Sequence, residues 1–259
     1  MPAPVVAAAP PVAEPARLPI EFVPVSSTSK GGVPQIEVLF PIMGKQLSSA
    51  QAETYQIRLK AIPWSEGLNV VLLLDDFPPR VFSDPTKPIP MGELWPANRE
   101  LEPGLHRLFA LVQLPDGTTL DRAAGAARAP FAYLPFWVGP ADETLEAAAL
   151  REANGPAVLL VTPRGTFNGN AAADQVLLDT QVLGLPPDAG EPKVRAEVVV
   201  DHEAYHAEFG ASEVRRIVGL PSGDHLVRVA LLGADGQPSN ARYASASRVI
   251  TVNRDAPTE

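Results

Sequence analysis

The sequence contains no cysteine, which excludes disulfide bonds, thiolate nucleophiles and cysteine metal ligands together. It also lacks any run of about 18 apolar residues, so no segment is expected to span a membrane. The start, Met1-Pro2-Ala3-Pro4, has neither the basic nor the continuous apolar part of a signal peptide, so no export signal is visible in this chain.

Positive charge is scarce as well. Lysine and arginine number 21 against 30 aspartates and glutamates, which gives a net charge of −9. An acidic surface without a basic stripe repels phosphate backbones, so we expect no nucleic-acid binding. Hydrophobic residues make up 46% of the 259 residues, which is enough for the core of one large domain or of two ordinary ones.

Proline, in contrast, is abundant, with 29 residues spread between short apolar runs. This distribution is typical of an all-β protein with many turns. Residues 1–32 are rich in proline, alanine and valine and are predicted to form a flexible, disordered tail. Such a tail either has no further role or serves as a spacer that holds the folded part away from a membrane or cell wall.

One stretch of the sequence occurs twice, as Pro103–Gly117 and Ser222–Gly236. In each copy a glycine is followed by a histidine, His106 or His225, then by an apolar run and an Asp-Gly turn. The spacing from the histidine to the last glycine is the same in both copies. We interpret the pair as a duplicated strand and turn, and therefore predict two copies of one β-rich domain.

Each copy contains further short strands separated by turns, in the same order. The predicted strands are Ile36–Phe40, Tyr55–Ala61, Asn69–Asp76, Leu105–Leu114 and Phe131–Val138, then Ala157–Val161, Gln175–Val182, Arg195–Asp201, His225–Leu232 and Arg248–Val252. Tyr55–Ala61 alternates polar and apolar residues, which is typical of a strand with one wet face, whereas Asn69–Asp76 is more continuously apolar, which predicts a strand covered on both faces. Short strands separated by turns about every 8–12 residues favour antiparallel sandwiches.

Residues 141–155 interrupt this β pattern. Asp142 is suited to cap a helix, Leu145 and Ala148 follow at helical spacing, and Asn154-Gly155 is a stop signal. We predict a short linker helix there.

Three features of each copy resemble bacterial immunoglobulin-like or fibronectin-type domains of cell-envelope proteins. The opening strand ends in proline with a glycine soon after, the middle strand ends in Asp75 or Asp201, and the histidine strand ends in an Asp-Gly turn. The resemblance implies two tandem antiparallel immunoglobulin-like sandwiches at 33–140 and 156–254, between the tails 1–32 and 255–259. It further implies a binding, spacing or scaffold role outside the cytoplasm, with no catalytic residue and no cofactor. The proline-rich stretch after Asp76 and the lack of a buried cysteine pair depart from that pattern.

The stretch from His202 to His206 matches the zinc peptidase motif H-E-x-x-H. On a helix the two histidines share a face and bind zinc, while Glu203 polarises the attacking water. Here the motif directly follows a predicted strand, and Phe209 stands where the extended motif has glycine. A zinc peptidase is therefore kept as an alternative, next to an incidental metal site and an ordinary surface segment.

Two other groups of side chains have alternative interpretations. His106 and His225, at matching positions, either cap a turn or form a ligand site in each unit. Asp75, Asp76 and Asp84 could supply oxygen ligands to calcium, but acidic loop ends are usually just solvated.

The proline-rich stretch from Pro78 to Asn98 is predicted to be a long loop and a contact surface. Its candidate interaction residues are Pro78, Pro79, Trp95 and Pro96, with Trp95 expected to be exposed. An exposed tryptophan also allows a carbohydrate-binding module as an alternative. Unpaired sandwich edges are a second expected contact surface, because they can accept another strand.

Taken together, these features predict a non-catalytic interaction module. We expect an accessory subunit or tethered protein of a bacterial envelope assembly, located in the periplasm or at the cell surface. Its partners would be proteins, and attachment to a membrane through the N-terminus, as in a lipoprotein, is compatible with this role.

Overall fold

The computed structural model describes residues 19–25, 34–120, 131–140, 155–185, 191–211 and 213–257. Within these ranges the chain is mostly β-strand, as predicted. The predicted linker helix falls on residues 141–154, which lie outside the described residues, as do residues 1–18 and 26–32 of the predicted tail. No helix in the part of the chain that the structure describes is long and apolar enough to cross a membrane.

The first unit is built from two facing sheets, a short helix and one 3-10 turn. The three-stranded sheet has the order β2 (Gln35–Phe40), β4 (Gln56–Ile62), β7 (Ile89–Pro90). The five-stranded sheet has the order β3 (Gln46–Leu47), β9 (Phe131–Val138), β8 (Gly104–Gln113), β5 (Asn69–Leu74), β6 (Arg80–Phe82). Helix α1 covers Ser49–Thr54 and the 3-10 turn covers Met91–Leu94.

The second unit has the same two-sheet plan. The four-stranded sheet has the order β1 (Glu21–Val25), β15 (Val214–Val218), β12 (Val176–Leu183), β10 (Ala157–Thr162). The five-stranded sheet has the order β11 (Thr166–Asn168), β17 (Ser245–Asn253), β16 (Gly223–Leu231), β13 (Lys193–Val200), β14 (Glu203–Gly210). Helix α2 covers Gly169–Ala173.

The two units repeat local details in the same order. In both, the opening strand ends at a cis proline, Pro41 or Pro163, and a short strand then pairs parallel with the last strand. In both, the middle strand is followed by an aspartate with positive φ, 49° at Asp75 and 48° at Asp201. The long strands predicted from the sequence form close to their predicted positions, and they pair antiparallel.

Alternation of polar and apolar residues explains how each sandwich closes. In β4, Ile57 and Leu59 are buried, whereas the alternating residues Arg58 and Lys60 are exposed, so one face of the strand packs in the core. The first core contains Phe136 and Leu72 among others, and the second is a separate cluster of smaller residues, chiefly valines.

One assignment made from the sequence is wrong at the N-terminus. The composition predicts that Glu21–Val25 belong to the tail, but these residues form β1, which pairs antiparallel with β15 of the second unit. The pairing is favoured because Ile20 and Phe22 pack against the second core. Nothing in the local sequence pattern points to a partner strand so far along the chain.

The proline-rich stretch is also more ordered than predicted. Instead of a long irregular loop it contains β6, β7 and the 3-10 turn, because Ile89, Met91 and Leu94 are drawn into the first core. The proline in β7 lies at the edge of its sheet, where a missing N–H is tolerated.

Candidate functional site

The two sandwiches share a third apolar cluster at their junction. It joins the outer faces of β5 and β8 to β10 and β12, and its buried members are Val71, Leu73, Phe109, Leu111, Leu159, Val161 and Leu183. The strands β5 and β8 are thus covered on one face by their own core and on the other by the second unit. This confirms the interpretation of Asn69–Asp76 as a strand covered on both faces.

Buried polar bonds reinforce this junction. The Asp179 carboxylate, 1% exposed, accepts bonds from the backbone N–H of Thr119 at 2.5 Å and from its hydroxyl at 2.7 Å. The Gln181 side chain donates to the same hydroxyl at 2.9 Å. Since buried polar groups need partners, these bonds hold β12 against the turn after β8 in one geometry.

A buried arginine crosses the junction nearby. The Arg107 guanidinium lies 3.3 Å from the centre of the Tyr243 ring, so a cation of the first unit rests on an aromatic ring of the second. Burial raises the pKa of Tyr133 to about 12, although the Arg107 charge acts in the opposite direction. The Arg107 backbone N–H donates to Asp75 Oδ1 at 2.7 Å.

Asp75 also holds His106. The Asp75 carboxylate lies 2.7 Å from His106 Nδ1, and His106 Nε2 lies 2.7 Å from the Glu102 carbonyl oxygen. Burial by itself lowers the pKa of His106, but the bond to Asp75 and its negative charge, with the Glu102 carbonyl, outweigh burial and raise that pKa above its usual value.

Beside the junction lies a cleft of about 460 Å³, within the size range of ligand sites. Its charged or titratable lining residues come from both units and are Asp75, Asp76, Arg195, Glu197, His206, Arg228 and Arg248. Two serines, Ser245 and Ser247, add hydroxyl groups to its wall.

Charges on the second unit's wall of the cleft form a row across three strands. In this row His206, Glu197 and Arg228 are register partners on β14, β13 and β16. Glu197 accepts from Arg228 Nη1 at 3.1 Å and lies 3.6 Å from His206 Nδ1. Along the next row Arg195 pairs with Glu208 at 2.7 Å. These pairs are partly exposed, so each can be exchanged for a pair with a charged ligand at little net cost. The sequence interpretation missed this surface, although the alternation of charged and apolar residues along Arg195–Val199 could have indicated it.

A third arginine, Arg248, also lines the cleft. Arg248 donates to the carbonyl oxygens of Val161, at 3.3 Å, and Pro163, at 3.0 Å. Burial first, and then the neighbouring Arg164, lower the pKa of Arg248 to about 10, while Asp76 acts in the opposite direction.

Two of the four predicted contact residues lie at a different hollow of the junction. Pro79 and Trp95 line a hollow of about 610 Å³ together with Arg164 of the second unit. Trp95, however, is only 6% exposed, and its Nε1 donates to the Arg99 carbonyl at 3.1 Å. The expectation of an exposed Trp95, and with it the aromatic platform for a carbohydrate, is wrong because the 3-10 turn carries this ring into the first core.

The burial of the three prolines predicted to make contacts also differs from one to the next. Pro78 is exposed, Pro96 is half-buried and Pro79 is buried. Only the first two therefore present a ring at the surface.

The H-E-x-x-H stretch does not form the helix that a zinc peptidase requires. Asp201 and His202 have positive φ angles, 48° and 72°, which suit the two central residues of a tight hairpin turn, and Glu203–Gly210 is strand β14. His202 therefore lies in a turn and His206 on a strand, so they do not share a helix face. The strand pairs with β13 along its whole length, which overrides the motif.

The remaining histidines and aspartates make local structural bonds. His225 Nε2 lies 2.8 Å from the Pro221 carbonyl, as His106 does from the Glu102 carbonyl, so both histidines fix the turn before their strand, as predicted. Asp84 accepts from the Thr86 N–H and hydroxyl, at 3.0 and 2.6 Å. Among the residues with described positions, no group of three or more His, Asp or Glu side chains is arranged to hold a metal ion.

Comparisons with known proteins give no family. No family model matches the sequence, and no curated protein matches it. Similar solved structures include the fibronectin(III)-like modules of CbhA from Clostridium thermocellum, at 16% identity and a TM-score of 0.30, with 86% of this chain and 98% of that chain covered.

Two further structures are bacterial proteins longer than this chain. A putative membrane anchored protein from Corynebacterium diphtheriae has 14% identity and a TM-score of 0.30, with 93% of this chain and 54% of that one covered. The glucan-utilisation protein SGBP-B from Bacteroides ovatus has 13% identity and a TM-score of 0.23, with 85% and 47% covered. These neighbours are of the kinds that the sequence resembles, but likenesses this distant carry no argument about function.

Proposed function

We propose that this chain is a non-catalytic interaction module whose junction cleft receives a segment of a protein partner in a bacterial envelope assembly. The observation that supports this most directly is the construction of the cleft. Its walls come from two sandwiches that are fixed to one another by a shared apolar cluster and by the Asp179–Thr119 bonds. A cleft held in this way keeps its shape before the partner arrives, which lowers the entropic cost of binding.

The chemistry of the lining favours a polar protein segment. The first unit lines the cleft with the carboxylates of Asp75 and Asp76, whereas the second unit contributes Glu197 and arginines such as Arg228. A partner segment that carries both signs of charge would pair with each wall, and such complementary pairs give specificity and orientation.

The surface around Pro78 and Pro96 extends the proposed contact area. Both rings reach the surface, and their sequence neighbours Pro79 and Trp95 line the hollow that Arg164 borders. A guanidinium nitrogen of Arg164 is buried there without a bonding partner. An acceptor group from a partner would satisfy that nitrogen.

The module boundaries follow from the same proposal. The chain would comprise a tandem repeat of one sandwich at 33–140 and 156–254, with β1 added to the second copy. The location in the periplasm or at the cell surface, and a tether at the N-terminus, rest on the family resemblance and on the proline- and alanine-rich start.

The test is recovery of a partner from envelope extracts with the full chain, followed by cross-linking and mass spectrometry. Arg228→Glu reverses a charge inside the cleft, and we expect it to reduce recovery of a stoichiometric partner about tenfold, equal to about 1.4 kcal/mol. Arg58→Glu makes the same change on the exposed face of β4, away from the junction, and should leave recovery unchanged. Equal recovery by the two variants would reject the cleft as the binding site.

A further inference from the structure

The first strand of the chain belongs to the second unit. All other strands of that unit lie between residues 157 and 253, whereas β1, Glu21–Val25, precedes the whole first unit in the sequence. The four-stranded sheet of the second unit is thus completed by a segment that is not contiguous with it. This is the geometry of β-augmentation, in which an extended segment adds to the free edge of a sheet.

The edge that receives β1 has a defined shape. Five residue pairs join β1 to β15, from Glu21–Val218 to Val25–Val214. Ile20 and Phe22, two residues apart, pack against the second core. Val23, the next residue, points to the other side of the strand and is 38% exposed. The edge therefore recognises apolar side chains at alternate positions of an extended strand.

A glycine fixes where the added strand begins. At Gly219 a Cβ atom would lie 2.4 Å from the Pro19 carbonyl oxygen, a distance that real Cβ atoms do not reach. The backbone of the added segment can approach this point only because Gly219 has no side chain.

Fewer interactions hold β1 in its sheet than hold the strands around it. β1 has one neighbouring strand, and of the residues at and beside it Ile20 and Phe22 pack against the second core, whereas β15 lies between β1 and β12. Peripheral elements with few contacts open at lower free energy than the unit as a whole. When β1 leaves, β15 becomes an edge with free N–H and C=O groups.

We propose that the β15 edge is a binding site for an extended peptide strand, and that two copies of this chain bind one another by exchanging β1 at this site. The occupant is the β1 segment of the second copy, which carries the same apolar side chains and the same approach to Gly219 as the strand already seated there. At low protein concentration the chain's own β1 occupies the β15 edge, because its effective concentration there is of the order of millimolar. Exchange between copies competes as the protein concentration approaches that value. This proposal is independent of the junction cleft.

The first experiment measures the site itself with a fluorescent peptide that has the sequence of Pro19–Val25. Phe22→Asp in the full chain should release β1, and the peptide should then bind at least about tenfold more tightly than it binds wild-type protein. Val23→Asp places the same charge on the outward side of β1, and it should bind the peptide as weakly as wild type does. A peptide with the Phe22→Asp change should not bind any of the three proteins.

Gly219→Ala adds the steric test. Combined with Phe22→Asp, it should abolish peptide binding, whereas Gly236→Ala should not, since Gly236 has a similar positive φ, 74° against 82°, but open space around it. Thermal melting of each variant checks that it folds. If Phe22→Asp does not fold, excess peptide is titrated against wild-type chain labelled at Glu21→Cys, and displacement of β1 is followed directly. Absence of both binding and displacement would overturn the proposed site.

The second experiment tests exchange between copies by disulfide trapping, which the absence of native cysteines makes specific. Val23 and Arg216 are register partners, and directly paired antiparallel residues lie at distances that a disulfide can bridge. Chains carrying Val23→Cys are mixed at high concentration with chains carrying Arg216→Cys and then oxidised. We expect a mixed dimer that grows with concentration and time, and none when Arg228→Cys replaces Arg216→Cys. Peptide binding without any mixed dimer would overturn the second copy as the occupant.

Discussion

The outer faces of the two five-stranded sheets occupy equivalent places but have opposite chemistry. In the first unit most outer residues of β5 and β8, such as Leu73 and Phe109, are apolar, and the second unit covers them. In the second unit the outer residues of β13 and β16 include charged ones such as Glu197 and Arg228, and these line an open cleft. Phe109 and Arg228 each stand three residues after the histidine of their strand.

The difference shows that the two faces of a sandwich strand have separate structural roles. Its inward residues build the core of its own unit and are apolar in both copies. Its outward residues decide whether the sheet is covered by another module or stays in contact with solvent and ligands. A continuous apolar strand such as β5 therefore marks an interface between modules, whereas an alternating strand such as β13 marks a free face.

The largest expected effect follows from truncating the covered face. Phe109→Ala removes a side chain that is 1% exposed and lies in the cluster shared by both units, so we expect a loss of about 3–5 kcal/mol in the free energy of unfolding. Arg228→Ala, at the matching position of the open face, should cost less than about 1 kcal/mol. Urea unfolding of both variants measures the difference. Equal losses would mean that the junction contributes little to stability.

A smaller effect is expected from the polar bonds of the junction. Asp179→Ala leaves the buried N–H and hydroxyl of Thr119 without their acceptor, and we expect a loss of about 1–3 kcal/mol. Asp174→Ala is the matched change at an exposed aspartate, whose bond to Arg254 at 2.8 Å should contribute less than about 1 kcal/mol. Calorimetry on both variants checks this. A loss at Asp179 no greater than at Asp174 would show that the junction tolerates unpaired groups.

The strands were predictable because their signal is local. Alternation in Tyr55–Ala61 and the apolar run at Asn69–Asp76 depend only on neighbouring residues, and the repeated histidine strand led to the prediction of two units. The pairing of β1 with β15 was not predictable, because it joins residues some 190 positions apart and the apolar side chains of Ile20 and Phe22 do not identify the partner strand.

The candidate site was less accessible to sequence reasoning. Trp95 lies among prolines, which indicated exposure, but its burial depends on where the 3-10 turn meets the first core. The junction cleft depends on two units coming together, and neither unit alone carries a motif for it. The H-E-x-x-H match failed because strand pairing with β13 decided the local structure.

The smallest expected effect compares the two matching histidines, of which only His106 has a carboxylate on Nδ1. Because Asp75 raises the pKa of His106 in the folded state, the protonated histidine stabilises the fold fully below its ordinary pKa near 6.5, and this contribution is lost as pH rises through the higher folded value. The free energy of unfolding of wild type relative to His106→Gln should therefore be larger at pH 6 than at pH 8.5. In His225 the Nδ1 atom is buried without a partner, and His225→Gln should not remove this pH dependence. Urea unfolding of the three proteins at both pH values measures these free energies. If the difference between wild type and His106→Gln does not change with pH, then Asp75 acts by holding the turn and the Arg107 backbone and not by stabilising the charge of the histidine.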